Sequence, residues 1–416
     1  MKWNRMICVL LSSVMAVGLS ACNQKNDNAA VKLPVESAAI SGQGYDENGN
    51  SIDSFYDEEN GVLSHPGDNT QVVFTVPDEV EGEYDIYLEF GRSIYAAGTT
   101  FFSVAIGDGE DHVPIVEMAA SQSADDLNEM GLVPVRENVY LQSGDLIKIS
   151  YKPGYSMEWQ GVMSCALPTM GNMYLYQTGT PVAVGYGEER QVAEDTAEKI
   201  DSSDPLSGKS IVWLGSSVTF GDNGYSIADA IDETHSAVNT YKYAISGTML
   251  VNTSESSYVA RMKEIDPALD IDLFIVQLST NDATNGQPLG EVSNSREVGS
   301  FDDATITGAM EEIIAYVSQT WNCPIAFYTG TYYDSAEYQS MVDRLYELQE
   351  KWQIEIIDLW NNENLRNMCI SGESAPYMKI KYGTEDEPDP IHPNAKGYKQ
   401  LWTPEFEKSF AEIFTE

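Results

Sequence analysis

The sequence predicts an α/β chain in two parts, a β-sandwich followed by an α/β/α domain on a mostly parallel five-stranded sheet. Three observations carry this. Between residues 35 and 180 short runs alternate apolar and polar side chains and stop at turn formers, with no strong helical stripe. Beyond residue 208 apolar strand-like runs alternate with amphipathic helical stretches, the pattern of strands joined by crossover helices. Between them, residues 181–207 are charged and weakly apolar and end in turn formers, as a linker would.

In chain order, Lys2 and Arg5 precede an apolar run from Met6 to Leu19 and the small-residue sequence Leu19-Ser20-Ala21-Cys22. The run is short for a membrane span, and residues 1–21 read as a cleaved leader. Its last four residues resemble a bacterial lipobox. That resemblance implies that Cys22 becomes the first mature residue, carries lipid and holds an exported protein on a membrane. Residues 22–34 are mostly polar and poor in aromatics, as a tether would be.

The expected sandwich spans residues 35–180. Thr70 to Val76 is β-rich, Tyr84 to Phe90 alternates cleanly, and Phe102, Val104 and Ile106 repeat the alternation before Gly107. Val139 to Tyr151 reads as a hairpin turning at Ser143-Gly144-Asp145. The Gly82 strand and the Leu141–Ile149 stretch loosely resemble a jelly-roll carbohydrate-binding module. Tyr45, Phe55, Tyr56, Tyr155 and Trp159 lie in loop-like stretches as candidate sugar platforms, although core packing explains such residues more often. Asp46 to Asp53 places oxygen ligands at alternating positions as calcium loops do, but it lacks glycine at the sixth position, and a plain turn is the simpler reading.

In the second part, strands are expected at Ser210–Leu214, Tyr241–Ile245, Asp272–Leu278, Pro324–Tyr328 and Ile354–Leu359. One helix runs from about Asp303 to Thr320 with Ile306, Met310, Ile313 and Val317 on one stripe. The next begins at Asp334 and aligns Tyr338, Met341, Leu345, Leu348 and Trp352. Parallel sheets place ligands beyond the carboxyl ends of their strands. Ser217, Gly247 and Asn281 each follow an expected strand, so the fold would gather them at one edge. A serine on a tight turn can act as a nucleophile if a base, a group to orient the base and oxyanion donors are at hand. Asp389-Pro390-Ile391-His392 offers the base and its partner.

These blocks, in this order, resemble the SGNH (GDSL-like) hydrolase superfamily from about Ser207 to the C-terminus. Gly215-Ser216-Ser217-Val218-Thr219 stands at its Gly-Asp-Ser block and Gly247 at its glycine block. Ser279-Thr280-Asn281-Asp282 stands at Gly-x-Asn-Asp, and Asp389 to His392 at Asp-x-x-His. The resemblance implies a flavodoxin-like fold and Ser217 as nucleophile, His392 as general base and Asp389 as its partner. It implies an oxyanion hole of the Ser217 and Gly247 N–H groups and the Asn281 amide. Ser216 replaces the usual aspartate, which leaves two adjacent serines and keeps Ser216 open as the alternative nucleophile. Ser279 replaces the family glycine, and Asp282 either shapes the loop or caps the segment that follows.

The chain has 65 acidic and 23 basic residues, a net charge of -42 that becomes -44 once Lys2 and Arg5 leave with the leader. So acidic a surface repels nucleic acid and anionic polymers and suits a neutral substrate such as an acylated carbohydrate or another small ester. With Cys8 leaving in the leader and Cys22 taken up by lipid, Cys165, Cys323 and Cys369 remain, an odd number without CxxC spacing, so neither a metal site nor a disulfide framework is indicated. Cys323 reads as a buried small hydrophobe, and His235 as a solvated surface residue. Phosphate-binding glycine loops and HExxH are absent, and no cofactor or metal is expected. The leading expectation is an exported, lipid-anchored serine esterase that deacetylates carbohydrate. The alternatives are a lipase or thioesterase acting on long acyl chains and a polysaccharide-binding lipoprotein without turnover.

Overall fold

A computed structural model describes residues 30–45, 51–52, 56–64, 66–67, 69–91, 102–109, 111, 113, 130–151, 157–159, 162–164, 169–186, 191–192, 203–222, 224–235, 237–381 and 383–414. The leader, Cys22, most of the tether, Asp46–Asn50, Asp53, Phe55, Tyr155 and Cys165 lie outside the described residues, as do the side chains of Tyr45 and Trp159.

The N-terminal part is built from two antiparallel sheets. The larger runs, in spatial order, Gln191–Val192, Ala183–Tyr186, Met130–Gln142, Glu81–Gly91, Met170–Gln177, Val62–Leu63 and Tyr56–Asp57, and Val31–Leu33 adds to Met170–Gln177. The smaller runs Ala39–Ser41, Gln71–Thr75, Leu146–Tyr151 and Phe102–Ile106. Ile86, Leu88, Phe90 and Leu175 from the first sheet and Phe74, Val104, Ile147 and Ile149 from the second bury one common core. Tyr56 packs against that core, so it does not stand free as a sugar platform.

Three expectations are corrected. Ser143-Gly144-Asp145 is not a hairpin turn. It carries the chain from the larger sheet, where Met130–Gln142 pairs with Glu81–Gly91, to the smaller, where Leu146–Tyr151 pairs with Gln71–Thr75. Alternation reports which face is buried but not which strand is the partner. The turn is pinned across the gap by Gly144 N donating to Val76 O at 2.9 Å and Val76 N donating to Asp145 O at 2.8 Å. Second, Ala183–Tyr186 and Gln191–Val192, expected in the linker, extend the larger sheet. Third, Val31–Leu33 of the expected tether is a strand, because Leu33 reaches the sandwich core.

The C-terminal part is a three-layer α/β/α structure. Its strands, numbered here from the start of this part, are β1 (Ser210–Gly215), β2 (Asn239–Ala244), β3 (Leu273–Gln277), β4 (Ile325–Tyr328) and β5 (Glu355–Ile357). All pair in parallel, in the order β2-β1-β3-β4-β5. Its helices include α1 (Ser217–Phe220), α2 (Ile227–Asp232), α3 (Tyr258–Met262), α4 (Thr280–Thr284), α5 (Ile306–Thr320) and α6 (Ala336–Trp352). One sheet face packs against the apolar stripes of α3, α5 and α6. The other packs against α2 and the C-terminal helix Thr403–Ile413, whose Phe406 and Phe410 close on Trp213 of β1. Thr305 caps α5, two residues past the expected start at about Asp303, and Ser335, not Asp334, begins α6 as its cap, each accepting a backbone N–H from the first turn.

His235 is not a free surface residue. Its Nδ1 lies 2.7 Å from Asp204 Oδ1 and its Nε2 3.9 Å from Glu407 Oε1, with 14% of the side chain exposed. Polar neighbours in sequence gave no sign of two carboxylates arriving from elsewhere in the fold. The half-buried Cys323 packs against the α5/α6 core, and burial pushes its thiol up to about 11. The two parts also share residues. Ile245, just past β2, is buried in the sandwich's core cluster, while Val113 is buried in the α/β part and donates its N–H to Glu264 O at 3.3 Å.

Candidate active site

Three loops at the carboxyl ends of β1, β2 and β3 and a short ribbon near the C-terminus build the site. The β1 loop turns at Gly215, where an added Cβ would sit 1.6 Å from Thr219 Oγ1. Glycine is therefore required there for space. Ser216 caps α1 and is fully buried, and Gln277 Nε2 donates to its hydroxyl at 3.2 Å. Ser217 opens α1 with its hydroxyl turned the other way, 2.8 Å from His392 Nε2. The adjacent serines thus face opposite sides of the turn, and Ser216 Oγ engages a core amide.

His392 lies on the strand Pro388–Pro393, which pairs with Met378–Ile380. Its Nδ1 stands 3.0 Å from Asp389 Oδ2. Asp389 Oδ1 accepts the backbone N–H groups of Ile391 at 2.8 Å and His392 at 3.0 Å, so this carboxylate uses one oxygen for its own loop and the other for the ring. A carboxylate can only accept, which assigns the ring proton to Nδ1 and leaves Nε2 to accept from Ser217. Burial pushes the Asp389 carboxyl up. The His392 hydrogen bond and charge and the two N–H donors outweigh it and hold the group at about 2.

On the second loop Gly247 has φ +81 and open space where a Cβ would be, so the backbone conformation and not crowding calls for glycine. Asn281 lies in the first turn of α4 and donates through Nδ2 to Thr248 O at 2.8 Å, which ties the third loop to the second. Ser279, where the family has glycine, is the N-cap of α4 and accepts from Asp282 N. The fully buried Asp282 reaches back across the loops, its Oδ2 accepting Leu250 N at 2.8 Å and its Oδ1 Val251 N at 3.2 Å. Burial raises its pKa against the pull of these donors and of Ser279.

Two buried side chains here were not singled out by the sequence. Arg261 of α3 donates to Gly215 O at 2.8 Å, Tyr243 O at 2.7 Å and Thr248 Oγ1 at 3.1 Å, bracing the first two loops against each other. Gln277, the last residue of β3, holds the serine turn. A polar residue ending an apolar strand run was a visible signal for Gln277. An arginine in a five-residue helix gave none. Among the described residues, no group of three His, Cys, Asp or Glu side chains is placed to hold a metal ion.

Residues 208–402 match the family described as GDSL-like lipase/acylhydrolase. This part of the chain is a GDSL-like hydrolase domain. Solved structures similar to the chain include a family two carbohydrate esterase from Cellvibrio japonicus, at 12% identity over 94% of this chain and 99% of that one, with a TM-score of 0.38. Another is a family two carbohydrate esterase from Clostridium thermocellum in complex with cellohexaose, at 12% identity over 90% and 98%, with a TM-score of 0.35. A protein from Bacteroides ovatus assigned as a GDSL-like lipase matches at 20% identity over 50% and 99%, with a TM-score of 0.35. A search of curated proteins returns no match. The GDSL-like domain makes the protein a serine ester hydrolase.

Proposed function

We propose that the protein is an exported, lipid-anchored esterase that removes small acyl groups, foremost acetyl, from carbohydrate, with Ser217, His392 and Asp389 as its catalytic residues. The observation that carries the chemistry is the line of contacts from Ser217 Oγ through His392 to Asp389, at 2.8 Å and 3.0 Å. His392 Nε2 takes the serine proton as Oγ adds to the ester carbonyl. The carbonyl oxygen becomes an oxyanion, met by the N–H groups of Ser217 and Gly247 and by the Asn281 amide. Asp389 stabilises the imidazolium. Collapse expels the alcohol, which receives the proton from His392, and leaves Ser217 acylated. Water, deprotonated by the same nitrogen, then releases the acid and restores the serine.

Three sequence features support the finer reading. The lipobox-like Leu19 to Cys22 favours export and anchoring, the acidic surface favours a neutral substrate, and an accessory sandwich suits a polymer. Ser217→Ala should lower turnover of p-nitrophenyl acetate by about a thousandfold or more, and unchanged turnover would end the proposal. Acetate released from a panel of acetylated polysaccharides and peptidoglycan would name the substrate. A p-nitrophenyl ester series favouring long chains would move the assignment to a lipase.

A further inference from the structure

We infer that Gln277 is a positioning residue that holds the Ser217 turn in its reactive geometry. The inference rests on Ser217 being the nucleophile. Gln277 closes a strand whose every residue is buried, and it is itself 1% exposed. Burying a primary amide is unfavourable unless its polar atoms are bonded, and here a single oxygen is heavily used. Gln277 Oε1 accepts Ser216 N at 2.9 Å, Thr219 N at 3.1 Å and Thr219 Oγ1 at 2.8 Å, while Nε2 donates to Ser216 Oγ. These partners lie immediately before Ser217 and two residues after it.

The geometry does three things. First, α1 is only four residues long and its first N–H groups have no partner within the helix. Gln277 takes two of them on the sheet side, on either side of the Ser217 N–H that faces substrate in the proposed mechanism. Second, the grip draws the turn down until Gly215 has no room for a Cβ, which would lie 2.8 Å from Gln277 Oε1 as well as against Thr219. Third, it continues sideways. With the Thr219 hydroxyl proton given to Gln277, the 2.6 Å contact between Thr219 Oγ1 and Tyr328 OH has Tyr328 as donor, so α1, β3 and β4 meet on one hydroxyl. Displacing a nucleophile by about 1 Å can cost about a hundredfold in rate, so what fixes this turn bears on kcat.

The test replaces the amide while keeping its bulk. Gln277→Met should lower kcat on p-nitrophenyl acetate about a hundredfold with KM within about threefold, and slow fluorophosphonate labelling by a like factor. Thr219→Val should cost about tenfold, Thr219→Ser should recover most of that, and Gln277→Met with Thr219→Val should be little worse than Gln277→Met alone, because the two share one interaction. Active-site titration separates positioning from folding. If the titratable fraction falls while each titrated site turns over at the wild-type rate, Gln277 only stabilises the fold and the inference is overturned. A Gln277→Met kcat within threefold of wild type overturns it as well. Should Gln277→Met not fold, the Thr219 pair decides, and a Thr219→Val enzyme with wild-type kcat overturns the inference. Ser217→Ala runs alongside. Its turnover tests the esterase mechanism itself, so a dead Ser217→Ala beside an unaffected Gln277→Met removes this inference alone.

Discussion

Asp389→Asn is the substitution whose cost the structure fixes best. The change keeps size and shape and replaces one acceptor oxygen by a donor. If the amide nitrogen takes the place of Oδ2, it points its hydrogens at His392 Nδ1, 3.0 Å away. The ring can tolerate that only by moving its proton to Nε2, where it faces Ser217 Oγ at 2.8 Å and cannot receive the serine proton. If the amide flips instead, its nitrogen meets the backbone N–H groups of Ile391 and His392 at 2.8 Å and 3.0 Å, two donors against a donor. The first rotamer removes the base by forcing the wrong tautomer, and the second keeps the tautomer but sets two backbone donors against the amide and so disrupts the loop that carries His392. Losing the charge-assisted bond alone, worth roughly 1.5–3 kcal/mol, would cost about ten- to a hundredfold at about 1.4 kcal/mol per decade. The wrong tautomer adds to this, and comparable changes in serine triads cost about 10⁴ in kcat. The expected loss is therefore about a thousandfold or more in kcat on p-nitrophenyl acetate, with KM little changed. A variant within tenfold of wild type, beside an inactive Ser217→Ala, would show that Asp389 does not set the His392 tautomer.

Asn281→Ala should lower kcat about a hundredfold, roughly 3 kcal/mol of oxyanion stabilisation, and leave KM nearly unchanged in steady-state assays. Asp389 also predicts an acid limb of stability. Its folded pKa of about 2 lies below the ordinary 3.8, so its contribution is complete above about pH 4 and is lost as pH falls toward 2. The displacement corresponds to roughly 2 kcal/mol, reduced to about 1 because the carboxylate keeps contact with solvent. Urea unfolding of wild type and Asp389→Asn should therefore differ at pH 5 and converge near pH 2. Cys22→Ser should abolish incorporation of labelled palmitate and move the protein from the detergent to the aqueous phase on Triton X-114 partition, with esterase activity retained.

The sequence showed most where period and order carry the information. Strands β1 to β5 lie within about two residues of the expected runs. The central β1, β3 and β4 are buried and almost wholly apolar and stop where the chain turns, while the edge strands β2 and β5 carry the exposed Asn239 and Glu355. Helices α5 and α6 followed from stripes that the sheet face buries, and only their caps moved by one or two residues. What remained hidden was pairing. The alternation of Val139 to Tyr151 is the same whether its two strands hydrogen-bond to each other or face each other across a core, and only the structure reveals the second arrangement. His235 needed Asp204 and Glu407, 31 and 172 residues away. Gln277 and Arg261 matter through what they touch, and their partners are mainly backbone atoms, which no sequence displays.

The shared residues at the boundary of the two parts bear on why a hydrolase domain carries a sandwich. Ile245 is buried with the sandwich core, yet its N–H donates to Gly215 O at 3.3 Å and its carbonyl accepts the Thr248 hydroxyl at 2.7 Å. It sits two residues before Gly247, and Arg261 grips the same Gly215 O and Thr248 Oγ1 from the other side. The loop that bears Gly247, an oxyanion donor in the proposed mechanism, is thus held by a buried guanidinium within the GDSL-like domain and by an apolar side chain buried with the sandwich core. Packed cores transmit small displacements because they have little free volume. A shift of the sandwich would therefore move Ile245 and, through it, the Gly247 N–H, which in the proposed mechanism must lie within about 0.2 Å of 2.9 Å from the oxyanion. On this geometry the sandwich core buries Ile245 two residues before Gly247, a contact that does not depend on whether the sandwich also binds a polymer.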